Sequence, residues 1–194
     1  LKLYSKPLAP NPLRVTMLAH KKGLTLDIHN LGADDTRNPE YREINPIGQV
    51  PVLELDDGTH ITESLTICQY LDAISGPPYL CGDGLEQRTR IAMWERRAEF
   101  QLLIPAVEYG HHRHPMFAAR ITQYPDWAGS IADAPRAFLT LMESRLAETR
   151  FLAGPDFSIA DITAYYGCRF ATVYGLYPTA APVIADWLDR VDAA

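Results

Sequence analysis

Two short runs carry the residues best suited to chemistry: Gln49-Val50-Pro51 and, a little further on, Glu63-Ser64. Proline lacks an N–H and accepts a cis peptide bond far more readily than other residues. A cis Val50-Pro51 bond at a strand entrance turns the Val50 N–H and C=O outward. An extended peptide can pair with them there as an added strand would. Glu63-Ser64 opens a helix. Helix starts combine unbonded N–H groups with a positive dipole end, which suits a carboxylate. The two runs together describe a site for a small acidic peptide. A plain turn proline and ordinary helix capping are the bland alternatives, and neither explains why both occur at this spacing.

Other candidates are scattered. Gly110-His111-His112-Arg113-His114-Pro115 holds three of the chain's 6 histidines. An imidazole titrates near neutrality and suits proton transfer. A solvated helix end explains the same run, and a metal site would need a Cys or carboxylate pattern that is missing. Asn11 carries a side-chain amide able to donate to an anion. Placed before Pro12, it also fits a helix N-cap. Tyr4 and Ser5 bring hydroxyls to the end of the first strand. The 3 cysteines, Cys68, Cys81 and Cys168, form no CxxC pair. Their odd number argues against a disulfide framework and for reduced thiols in a cytoplasmic protein.

The elements that must position these groups follow from the pattern. Leu1–Tyr4 alternates as a strand, not as a signal peptide. A helix over 12–22 ends before Gly23. Leu24–His29 reads as a second strand, and 32–45 as an irregular turn with one short helix. Val52–Leu55 and His60-Ile61 flank the hairpin signal Asp56-Asp57-Gly58-Thr59. Glu63–Ile74 is a third helix, and Ser75-Gly76-Pro77-Pro78 breaks the pattern. Beyond Leu85 the spacing is helical, over 85–109, 130–148, 158–173 and 182–192, with a broken region before Tyr124. Ser158 and Asp161 form a capping box, with Phe157 and Ile162 as its hydrophobic staple. The expected organisation is an α/β domain over 1–75, a linker over 76–84 and an all-α domain over 85–194.

Bulk properties set outer limits. The 194 residues are 47% apolar and 22% charged, ordinary for a globular protein. A net charge of −6 disfavours nucleic-acid binding, which needs a basic face. No apolar run is long enough to span a membrane.

The chain resembles the glutathione S-transferase superfamily. The resemblance rests on NPIGQVPVLELDDG and ESLTICQYLD in the first half and on FLAGPDFSIADIT in the second. It implies a thioredoxin-like N-terminal domain, a helical C-terminal domain, glutathione as co-substrate, a small-molecule electrophile and a homodimer. Val50 would then hold the cysteinyl backbone of glutathione, with Gln49 and Pro51 in the same loop. Glu63 and Ser64 would hold the γ-glutamyl amine and carboxylate, and Arg42 stands where some members place a cation for the glycyl carboxylate. The family's usual Ser or Cys falls on Ala9, which has no hydrogen to donate. Thiolate stabilisation is then open between Asn11, Tyr4, Ser5 and the histidines. The APNP stretch resembles a branch in which a water held by a His and a Ser of the helical domain takes the proton. That makes His111 and His112, and also His114, catalytic candidates beside Asn11. The electrophile pocket is expected near Leu8, Glu108, Tyr109 and Met116. The reading is a detoxification transferase. Its rivals are a glutathione-dependent isomerase, dehalogenase or peroxidase, or a non-catalytic binding protein of the same fold.

Overall fold

The structure, a computed structural model, describes residues 1–177 and 181–194. The chain divides into two units, Leu1–Tyr79 and Leu80–Ala194.

The first unit is built on a four-stranded sheet in the order β2-β1-β3-β4. Its strands are β1 (Lys2–Ser5), β2 (Asp27–Asn30), β3 (Val52–Glu54) and β4 (His60–Ile61). β1 runs parallel to β2, and β3 runs antiparallel to both β1 and β4. The helices are α1 (Pro10–Lys21), α2 (Pro39–Ile44) and α3 (Ser64–Ser75). Alternate strand residues face opposite sides of a sheet. Tyr4 and Val52 therefore share one face, where they pack with Tyr41 of α2. Leu3 and Leu53, also paired, point the other way and are fully buried, as are Val15 and Leu18 of α1 and Ile67 and Leu71 of α3. The register thus splits one apolar core into two layers, with α1 packed on α3.

α1 begins earlier than the sequence suggests. Its N-cap is Ala9, not Asn11, and Asn11 lies inside the first turn. Pro10 and Pro12 cost nothing there, because N–H groups of the first turn lack helical acceptors anyway. The far end of α1 is tied to α3 by Lys22, whose Nζ lies 3.0 Å from Asp72 Oδ1 with both side chains buried. The same ammonium donates to the carbonyls of Gly76, at 2.5 Å, and Pro78, so all three of its hydrogens are used. This fixes the end of the first unit.

The second unit holds α4 (Gly84–Ala98), α5 (Ile104–Arg113), α6 (Pro125–Ile131), α7 (Asp133–Glu148), α8 (Ile159–Val173) and α9 (Pro182–Ala193). The single helix expected over 85–109 is two helices joined by a π-helical turn at Glu99–Leu103. Pro105 has no N–H for the Gln101 carbonyl, and the wider turn absorbs that missing bond. The same chemistry divides the helix expected over 130–148. Pro135 offers no N–H to the carbonyl of Ile131, which is where α6 ends. The π turn also sits close to α8, where a Cβ on Gly167 would lie 2.6 Å from Leu102.

Asp161 organises this unit. Its Oδ2 accepts from Ser158 N–H (3.1 Å) and Ser158 Oγ (2.9 Å), completing the capping box at the start of α8. Its Oδ1 accepts from Leu152 N–H (2.9 Å) and from Trp187 Nε1 of α9 (3.1 Å). One carboxylate therefore joins a helix start, a loop and the last helix. Nearby, Ile159 N–H bonds the Leu80 carbonyl at 3.0 Å, which holds the start of the unit against α8. Among the described residues, no helix is long and apolar enough to cross a membrane.

Candidate functional site

The loop before β3 is held by polar bonds that converge on Gln49. Its carbonyl accepts from Tyr41 Oη at 2.7 Å and from Asn45 Nδ2 at 2.9 Å. Asn45 Oδ1 accepts from Ile47 N–H at 3.2 Å, and Gly48 N–H bonds the Asn45 carbonyl at 2.8 Å. Gly48 has φ +71°, and a Cβ there would meet the Thr36 carbonyl oxygen at 2.7 Å, so only glycine fits this bend. Arg42 donates to the Pro46 carbonyl at 3.1 Å and so braces the same loop. Beyond it the Val50-Pro51 bond is cis. Pro51 is buried, Gln49 is exposed and Val50 is half-buried. Among the described residues, neither the N–H nor the C=O of Val50 has a hydrogen-bond partner.

Glu63 is the N-cap of α3, with φ +64° and ψ 115°. That is a strained conformation for a residue with a Cβ, costing on the order of 1–3 kcal/mol. Its carbonyl accepts from Ile67 N–H at 2.9 Å, while its exposed side chain makes no hydrogen bond or ion pair with the described residues. Ser64, the first helical residue, is buried. The helix opens with free N–H groups and no acidic residue in its first turn, a setting that favours an anionic ligand.

Asn11 and Ser64 meet through Arg14. Arg14 Nη1 lies 3.0 Å from Ser64 Oγ and 3.4 Å from Asn11 Oδ1, and Ser64 Oγ lies 3.4 Å from the same Asn11 oxygen. At the tip of α1, Pro10 and Pro12 have no N–H, and Leu13 N–H is bonded to the Ala9 carbonyl. Asn11 is thus the residue that presents donors at that tip. Arg14 was not singled out from sequence. The signal was there: it stands one turn before Leu18 and beside Val15, on the buried face of α1, yet carries a charge.

The Tyr4 hydroxyl on β1 is otherwise engaged. Tyr4 Oη donates to Glu54 Oε2 at 2.6 Å and accepts from Lys2 Nζ at 2.9 Å. The Tyr4 bond, with Lys2 and His60 nearby, holds the Glu54 carboxyl below its ordinary range. Tyr4→Phe removes this bond and is expected to lower stability slightly and to leave ligand binding and turnover unchanged. Chemical denaturation beside a turnover assay checks both halves. Ser5 is buried and its carbonyl accepts from Leu31 N–H.

The histidines belong to the second unit, near the end of α5. His111 Nδ1 lies 3.3 Å from Glu108 Oε1, and His112 Nε2 lies 3.8 Å from Glu108 Oε2. The bond to His111 leads the effects that lower the Glu108 carboxyl below its ordinary range. His112 Nδ1 accepts from Tyr124 N–H at 3.3 Å, which puts its ring proton on Nε2, and its ring stands edge-on to Trp127. His114 Nδ1 accepts from Met116 N–H at 3.4 Å, as the N-cap of a single 3₁₀ turn. Gln123 Nε2 bonds the carbonyls of both His111 and His114 at 2.9 Å. His111 and His112 thus share one carboxylate, and His114 does not. Among the described residues, no group of three or more His, Cys, Asp or Glu side chains is arranged to hold a metal ion. All three cysteines are free thiols, and burial pushes Cys168 up to about 12, which rules it out as a nucleophile.

The chain is similar in sequence and fold to known proteins. Residues 9–74 match the model of the glutathione S-transferase N-terminal domain, and residues 125–190 that of the C-terminal domain. Glutathione S-transferase 2 of Saccharomyces cerevisiae is 33% identical over 196 residues, covering 97% of this chain and 84% of the relative. The crystal structure of Gtt2 from the same yeast superposes with a TM-score of 0.91 at 30% identity, covering 100% of this chain and 97% of that one. A glutathione S-transferase domain-containing protein from Marinobacter aquaeolei gives the same TM-score of 0.91 at 34% identity, covering 100% of this chain and 98% of the other.

Proposed function

The chain belongs to the glutathione S-transferase family, and from that premise we propose that its first unit binds glutathione and activates the thiol for attack on an apolar electrophile. One observation carries the binding half: the backbone groups of Val50 stand without partners in a loop braced from Tyr41, Arg42 and Asn45. A loop held that firmly, with its hydrogen-bonding edge open, suits a peptide backbone. In this reading Val50 pairs with the cysteinyl residue, flanked by Gln49 and Pro51. Glu63 takes the γ-glutamyl ammonium, and Ser64 with the start of α3 takes the γ-glutamyl carboxylate.

The chemical half needs a thiolate. A free thiol has a pKa of about 8.5, and lowering it by about 2 units is worth about 2.7 kcal/mol. One charge-assisted hydrogen bond and a helix N-terminus together supply that order of energy. Asn11 brings both, since its amide and backbone N–H sit at the tip of α1. The thiol proton leaves through an imidazole, which we assign to His111 or, once Nδ1 releases the Tyr124 N–H, to His112. Their shared Glu108 carboxylate supports this, because it orients the rings. The thiolate sulfur then forms a bond to the electrophilic carbon, and the leaving group departs with its bonding electrons. The active form is a homodimer in this reading.

Turnover with glutathione and an activated aromatic halide tests it. Asn11→Ala is expected to lose about 10-fold or more in turnover with glutathione affinity retained, and one of His111→Ala and His112→Ala to do the same. His114→Ala is expected to match the wild type. Wild-type turnover in all of these variants would refute the assignment.

A further inference from the structure

Asn11 is exposed, yet its amide oxygen lies beside Arg14, which is fully buried. Arginine has donors only. The atom of Asn11 that faces the guanidinium must therefore be the oxygen, which removes the usual ambiguity of an amide's orientation. Ser64 closes the group: its hydroxyl accepts from Arg14 at 3.0 Å and donates to the same Asn11 oxygen at 3.4 Å. Residues 11 and 14 are i,i+3 neighbours on α1, so the contact is built into the helix. Ser64 belongs to α3, so the contact also joins the two helix starts of the site. Both ligands of the Asn11 oxygen lie on its inner side. The amide nitrogen is left turned away from them, with two hydrogens to donate.

We propose that Arg14 is a positioning residue for thiol activation: its guanidinium locks Asn11 with the amide oxygen inward and the N–H₂ group outward, in the pose that donates to the glutathione sulfur. This rests on the glutathione reading above. It assigns to a buried arginine a part of the reaction it performs without touching the substrate. The same contact holds the Ser64 hydroxyl and sets a permanent positive charge beside the N-terminus of α3. The carboxylate site and the thiol site are thereby oriented by one side chain.

Asn11→Asp separates this from a purely structural role. Aspartate still accepts from Arg14 and Ser64, so the unfolding midpoint is expected to hold. Its second oxygen takes the place of the outward N–H₂ and repels a thiolate. The pKa of bound glutathione, read from thiolate ultraviolet absorbance against pH, is expected to rise by about 1 or more, a tenfold loss of thiolate at lower pH. Arg14→Met is expected to raise it in the same direction. Arg14→Lys, a point charge in place of a planar fork, should fall between Arg14→Met and the wild type. Should Arg14→Met fail to fold, Arg14→Lys and Asn11→Asp decide. A wild-type thiol pKa in Asn11→Asp, or a lowered midpoint with unchanged thiol pKa in the Arg14 variants, would overturn the proposal while leaving glutathione binding intact. A wild-type protein that binds no glutathione in calorimetry would remove the functional reading and this inference together.

Discussion

Asp161→Ala is expected to destabilise the helical unit by about 3–5 kcal/mol, a large part of the margin of an ordinary domain. The size follows from the number of groups left behind. Four donors, Ser158 N–H, Ser158 Oγ, Leu152 N–H and Trp187 Nε1, end on this one buried side chain. Each would face an apolar interior without an acceptor, at a cost of about 1–3 kcal/mol apiece that is not additive. Ser158→Ala removes only one hydroxyl and should cost about 1 kcal/mol. Asp161→Asn keeps one oxygen for one pair of donors and turns its N–H₂ on the other pair, giving an intermediate loss. Urea denaturation ranks the three.

The same residue gives a pH signature. Burial pushes the Asp161 carboxyl up from 3.8 to about 6, against the pull of its four donors. The folded chain therefore holds this proton more tightly than the unfolded chain does. Its contribution to stability is fully present below about pH 4 and is lost as pH rises through about 6, by roughly 3 kcal/mol. Asn at this position has no such slope. The stability difference between wild type and Asp161→Asn is expected to shrink over that window, and a difference independent of pH would contradict the assignment.

The second large effect is on binding. Glu63→Ala is expected to weaken glutathione binding by about 10- to 100-fold while changing stability by no more than about 0.5 kcal/mol. The contrast comes from the structure: the Glu63 side chain is exposed and makes no hydrogen bond or ion pair with the described residues, so no polar contact of the fold depends on it. Alanine suffers the same φ of +64° as glutamate. Glycine does not. Glu63→Gly is expected to raise stability by about 1 kcal/mol and to lose affinity as Glu63→Ala does. A variant that folds better and binds worse would mark the backbone at position 63 as held in place for the ligand.

The parts of this molecule that were legible in the sequence are those written in local backbone chemistry. Val50-Pro51, the Asp57-Gly58 turn and the Ser158–Asp161 box each act within a few residues, and each stands where the pattern puts it. The parts that were not legible depend on contacts distant in sequence. Tyr4 gives its hydroxyl to Glu54, and Arg14 turns inward to Ser64, both 50 residues away. Helical spacing marks Arg14 as buried, but no periodicity names its partner or announces the Tyr4 bond. The split of the long helix at Glu99–Leu103 lies between these extremes, since Pro105 is visible in the sequence but the helical repeat continues across it. The start of α1 was missed for a related reason: Asn before Pro fits an N-cap, but Pro10 fits the first helical position equally well, and the buried Pro12 and Arg14 draw the helix back to it.

The central claim is that the open edge at Val50 and the start of α3 hold glutathione together. Titration calorimetry of the wild-type protein with glutathione, repeated with Ser64→Ala and Glu63→Ala, tests it most directly. One site per chain in the wild type, weakened at least 10-fold in both variants with the unfolding midpoint of Glu63→Ala unmoved, is the predicted result. No heat of binding in the wild type, or equal affinity in all three proteins, would contradict it.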